Sequence, residues 1–160
     1  MKGMSPIVKT VTRWVKVFIF IFGMYITLTG HLTPGGGFAG GVIIAALYIL
    51  LTLAFGKTAS LKRFPKGLAS VLDSVGASLF LLIGLLAFAF GSNFFANYLI
   101  QHFPGQSFNL LSAGTIPISN IAIGIKVASS LFIVFFIMSV LRIEDTKNNT
   151  KKFIQEEEEE

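Results

Sequence analysis

The chain has 160 residues, 53% of them hydrophobic, with 17 phenylalanines, a net charge of +5 and a mean hydropathy of +0.75. Charged residues make up 13%, about half of the ~25% usual in soluble domains; residues 17–56 carry none and residues 67–141 only Asp73 and Lys126. Segments that long and that apolar exclude a secreted domain, a cytosolic enzyme and a nucleic-acid binder, and the absence of Cys excludes a disulfide, a thiolate zinc site and an iron–sulfur cluster.

A spanning helix needs about 20 apolar residues, and four segments qualify. The first runs over about 14–30, with Lys2, Lys9, Arg13 and Lys16 at its basic start. Its basic start and apolar core also fit a cleaved signal peptide. No small-residue cleavage site follows it, however, and three further spans do. The second runs over about 37–55. Lys57, Lys62, Arg63 and Lys66 separate it from the third, at about 68–90, and the fourth covers about 116–141. Arg142, Lys147, Lys151 and Lys152 then follow, whereas the connections near 30–36 and 91–115 contain no Lys or Arg. Twelve of the 13 basic residues thus fall on one side. By the excess of Lys and Arg in cytoplasmic loops, both termini are predicted to be cytoplasmic and the protein a multi-pass component of the cell membrane. The expected fold is all-α, a four-helix membrane domain over 1–145. The charged tail, 146–160, is expected to be disordered, with five glutamates at its end.

Within the long connection after the third span, Phe94, Phe95, Tyr98, Leu99 and His102 recur at helical spacing. They predict a short helix lying in the outer interface, ended by Pro104-Gly105.

Helices in lipid associate through small residues. Gly36–Gly40 and Gly37–Gly41 form two overlapping GxxxG pairs at the start of the second span. The third span carries Asp73, Gly76, Ala77, Gly84, Ala87 and Gly91 on one stripe, and the fourth carries Ser119, Ala122, Lys126, Ser129 and Ser130. These stripes are expected to face protein, some of them on neighbouring subunits. The bulky faces, including Ile121, Ile125, Phe132, Phe135 and Phe136, are expected to meet lipid.

Three residues could handle ions or protons. Lys126 lies near the middle of its span, where a charge needs a partner or water; it is too deep to snorkel easily. Asp73 is the obvious partner in the chain, but counting residues from the span ends puts the two on the order of 15 Å apart in depth. The counter-charge is therefore expected on another subunit. Asp73 itself reads either as a residue of the first turn, where a carboxylate favours the helix dipole, or as part of an ion path. His31 opens the tight connection to the second span and reads either as a turn residue or as a proton-handling group. Pro34 fixes φ there and the glycines allow close backbone approach. Gly35-x-Gly37-x-x-Gly40 imitates a dinucleotide fingerprint, but no strand precedes it and no ribose-binding acid follows. No paired catalytic set is present for an intramembrane enzyme or a quinone site.

The run Gly30-His31-x-x-Pro34-Gly35-Gly36-Gly37-Phe38-x-Gly40-Gly41, with the later Gly114-Thr115-Ile116-Pro117…Asn120 to Lys126 stretch, resembles the MnhB/MrpB family. These are small membrane subunits of multisubunit sodium/proton antiporters, also found in archaeal complexes that couple ferredoxin oxidation to ion pumping. The resemblance implies a non-catalytic subunit with other membrane subunits and lipids as partners. It also implies no cofactor or metal of its own and sodium ions or protons as the cargo of the complex. The Lys126 stretch resembles subunits of archaeal hydrogen-evolving or sulfur-reducing complexes more than those of stand-alone Mrp-type antiporters. A purely structural assembly subunit remains the alternative of another class.

Overall fold

The computed structural model describes residues 4–90, 93–102, 112–145 and 151–155. Among the described residues six helices follow in order: α1 (Pro6–Thr29), α2 (Gly37–Phe55), α3 (Lys57–Arg63), α4 (Lys66–Ala89), α5 (Tyr98–His102) and α6 (Thr115–Val140). Of these, α1, α2, α4 and α6 are long and apolar enough to cross a membrane. A short antiparallel pair follows them, β1 (Leu141–Asp145) with β2 (Lys151–Gln155).

The spans lie side by side in the order α1, α2, α6, α4, each packed mainly on the next. Chain order and spatial order differ because α6 inserts between α2 and α4. Glycines allow the insertion. A Cβ on Gly41 would stand 2.8 Å from the Gly124 carbonyl oxygen, and one on Gly76 would stand 2.8 Å from the Lys126 backbone nitrogen. The axes therefore approach as closely as small residues permit.

α1 begins eight residues before the expected start of the apolar run. Pro6 stands at its first position, where the missing N–H is no loss, so the basic leader with Lys9 and Arg13 is itself helical. α3 fills the connection in which only a basic linker was expected. Gly56 turns into it at φ 91°, and the Thr52 and Ser60 hydroxyls meet at 2.8 Å across the turn.

Phe132 and Phe136, expected to meet lipid, are the largest fully buried side chains among the described residues. Phe64, in the connection after α3, stacks on Tyr48 of α2 at 4.6 Å and meets Phe132 edge-on at 5.2 Å. Aromatic pairs at such spacings add to plain area burial. Bulk alone does not mark a lipid face, because a loop in the tertiary structure brings a partner ring. Ile121, 40% exposed, does face outward.

The expected helix from Phe94 onward is shorter than its spacing suggests. Phe95 adopts φ 60°, its N–H donates to the Gly84 carbonyl at 3.4 Å, and its ring covers Gly84. The helix starts only at Tyr98. Behind this turn, the Asn97 amide donates to the Ala113 carbonyl at 2.8 Å and its oxygen accepts the Thr115 N–H at 3.1 Å. Asn97 thus satisfies an orphan donor at the start of α6. Asn97→Ala is expected to cost about 1 kcal/mol, the usual loss for a helix-capping side chain. Faster amide exchange at Thr115, Ile116 and Ile118, with the rest of α6 unchanged, is the measurement that checks it.

At the other end, β2 occupies residues that were expected to be disordered. Leu141-Arg142-Ile143-Glu144 alternates apolar and charged with the two-residue period of a strand, and the register sets Ile143 opposite Phe153. Residues 146–150 and 156–160, the rest of the expected tail, lie outside the described residues.

Candidate functional site: an ion pair between two spans

Lys126 Nζ lies 2.7 Å from Asp73 Oδ1, and it also donates to Ser130 Oγ at 3.3 Å. The Ser130 hydroxyl donates to the same Asp73 oxygen. α6 supplies Lys126 and Ser130 one turn apart, on neighbouring positions of one face, and α4 supplies the carboxylate. Gly76, beside the Lys126 backbone, is what lets the two helices come close enough for this cluster to form.

The expectation that Lys126 pairs outside the chain is therefore corrected: its counter-charge is Asp73. Counting from span ends misplaced the pair for two reasons. α4 starts at Lys66, so Asp73 lies deeper than a start at residue 68 implied. The helix ends are also not level, as the apposition of Gly76 with Ala122 and Lys126 shows. The lysine stem bridges the remaining turn, about 5 Å. Asp73 is accordingly in the interior of its helix, with its carboxylate engaged across the α4–α6 boundary.

His31 is not part of this cluster. It sits half-buried two residues beyond α1, in the connection of Gly30 to Gly37. That connection abuts Asn120: a Cβ on Gly30 would stand 3.1 Å from the Asn120 side-chain nitrogen, and one on Gly37 would overlap the Asn120 carbonyl. Asn120 precedes Lys126 by six residues, roughly 9 Å along α6. The structure thus places His31 and Lys126 at different levels.

Gly35 and Gly36 hold φ 150° and 113°, conformations reserved in practice for glycine. Gly40 faces α1, where its Cβ would overlap the Thr27 hydroxyl. Gly37, Gly40 and Gly41 therefore pack on helices of their own chain. Pro34 is exposed, and Phe38 is 67% exposed at the start of α2. Sequence reasoning missed Asn97, Asn120 and Thr27 as fixed points; no local pattern marks them. A separate apolar cavity of about 290 Å³ lies among Phe20, Met24, Ile44, Tyr48, Leu72, Ile121 and their neighbours. Neither Asp73 nor Lys126 lines it.

Comparison with known proteins gives a consistent result. The family described as "Domain related to MnhB subunit of Na+/H+ antiporter" matches residues 7–133. An uncharacterized protein of Methanocaldococcus jannaschii is 34% identical over 87% of this chain and 54% of its own length. A Staphylococcus aureus protein that carries the name of an antiporter subunit, mnhB2, is 34% identical over 61% of this chain and 69% of its own. Among solved structures, a chain of the membrane-bound sulfane sulfur reductase, an archaeal respiratory membrane complex, superposes with a TM-score of 0.68 at 34% identity. That match covers 82% of this chain and 56% of the other. The chain thus spans about half the length of the archaeal relatives it matches.

Proposed function

The chain belongs to the MnhB family, and from that premise we propose that it is a membrane subunit of a multisubunit sodium- or proton-translocating module. The host we propose is an archaeal ferredoxin-driven complex of the hydrogen-evolving or sulfur-reducing kind. The observation that carries the reading is the Lys126–Asp73–Ser130 cluster inside two spanning helices. Ionisable groups within spans mark ion and proton pathways more often than they serve as anchors. Two opposite charges bridged by a hydroxyl can exchange a proton within the cluster, which stays neutral as a whole before and after the transfer.

In this reading the chain catalyses no reaction by itself and holds no cofactor of its own; sodium ions or protons are the cargo of the complex. Similarity to the sulfane sulfur reductase chain supports the choice of host over a stand-alone antiporter. Mass spectrometry of the intact solubilised complex tests it. Co-purification of iron–sulfur and nickel-site subunits would identify a hydrogenase, and iron–sulfur subunits without nickel a sulfur reductase. Antiporter subunits alone would return the chain to the stand-alone class.

The topology we propose keeps both termini and α3 on the cytoplasmic side and α5 in the outer interface. Cysteines at Leu32 and Lys62, both exposed, are expected to react with a membrane-impermeant thiol reagent from opposite sides of sealed vesicles. Reaction of both from one side would overturn the orientation.

A further inference from the structure

Residues three and four positions apart are neighbours on a helix, so Asp73 has four close companions on α4. Ala69 and Gly76 are buried, Gly76 against α6, while Ser70 and Ala77 are exposed. Asp73 therefore stands on the edge of the packed strip, and the pair is open on that side: 43% of the Lys126 side chain and 30% of that of Asp73 remain accessible. Asp73 lies roughly 10 Å in from the start of α4 at ~1.5 Å per residue. Charged side chains at such depth face a bundle interior or a water-filled cavity, not lipid. Lys126 Nζ spends two of its three protons on Asp73 and Ser130. Its third has no acceptor among the described residues.

We infer that this edge is a docking face for a transmembrane helix of another subunit. Ser70, Asp73 and Ala77 of α4 form it together with Lys126 and Ser130 of α6. The partner helix lays small residues against Ser70 and Ala77, which admit close backbone approach, and presents one side-chain oxygen to Lys126 Nζ. The unmet donor selects for an acceptor, and the half-open charge pair selects against lipid. The inference rests on the reading of the chain as one subunit of a membrane complex.

The test is site-directed photo-crosslinking in the purified complex. A cysteine at Ala77 carries a photoactivatable label. One at Leu79, exposed on the opposite side of α4, is the control. Ala77→Cys is expected to give an adduct with a membrane helix of a different subunit, and Leu79→Cys mainly lipid adducts. Ala77→Leu is further expected to lose most of that co-purifying subunit, while Ala77→Ser retains it. Adducts of Ala77→Cys with lipid alone, or with a second copy of this chain alone, would overturn the docking face; so would labelling of the site by a water-soluble reagent in the intact complex. A chain that co-purifies with no other subunit would instead overturn the proposed function, so the two failures are distinguishable.

Discussion

Lys126→Ala is expected to leave the complex assembled, its partner helix still seated on Ser70 and Ala77, and to slow its sodium- or proton-coupled uptake on the order of tenfold, equivalent to ~1.4 kcal/mol on the barrier. Removing the lysine leaves Asp73 with the Ser130 hydroxyl, and a lone carboxylate can be protonated rather than stay charged. Assembly therefore survives, but the exchange partner is gone. Asp73→Ala is the harsher change. It strands an ammonium inside the membrane, at a cost of about 2.5–3.5 kcal/mol for an unpaired charge near the middle of a span. Lower subunit content is the expected result. The double variant Asp73→Ala/Lys126→Ala is expected to recover that content without recovering uptake, because both charges leave together. Lys126→Arg should rescue poorly: a planar, forked guanidinium does not reproduce the compact ammonium that meets Asp73 Oδ1 and Ser130 Oγ. Ion uptake into vesicles containing the purified complex, normalised to subunit content, is the measurement. Uptake at the unmodified rate with Lys126→Ala would reduce the pair to an anchor and leave the chain a structural subunit.

Gly37→Ala should cost the fold heavily for a single added methyl group. The added carbon would overlap the Asn120 backbone at its carbonyl, and a backbone atom cannot rotate away. α2 and α6 would have to part at the level that also seats Gly36 and Gly41. Overpacking of this kind costs about 1–3 kcal/mol and occasionally more. The expected outcome is a sharp loss of folded protein in the membrane fraction, read as a lowered unfolding temperature of the purified chain or complex. Gly67→Ala is the matched control. Nothing lies within 4 Å of its added Cβ, and glycine inside a helix is about 1 kcal/mol less favourable than alanine. That variant should be as stable as the unmodified protein or slightly more so.

The four spans were legible because lipid imposes a requirement that sequence displays directly. Every backbone polar group must be satisfied within the helix, and the exposed side chains must be apolar over a fixed length. The Gly30–Gly41 run was legible for a related reason: only glycine tolerates the φ of Gly35 and Gly36 or the approach of Asn120 to Gly37. Lys126 and Asp73 stood out as charges against an apolar background. Each of these properties belongs to a residue and its near neighbours in the chain.

What the tertiary structure alone decided are relations between segments far apart in sequence. That Lys126 finds Asp73, 53 positions away, depends on how far α6 slides along α4. The slide is set by Gly76 fitting against Ala122 and Lys126, not by counting from uncertain span ends. That Phe132 is buried depends on Phe64, which comes from a connection between helices. That Asn97 holds the start of α6 depends on a turn that Phe95 makes over Gly84. Hydropathy reports how a residue partitions between water and lipid. It carries no information on which protein surface a given apolar or small residue will meet, and that choice is made by the fit of one helix against another.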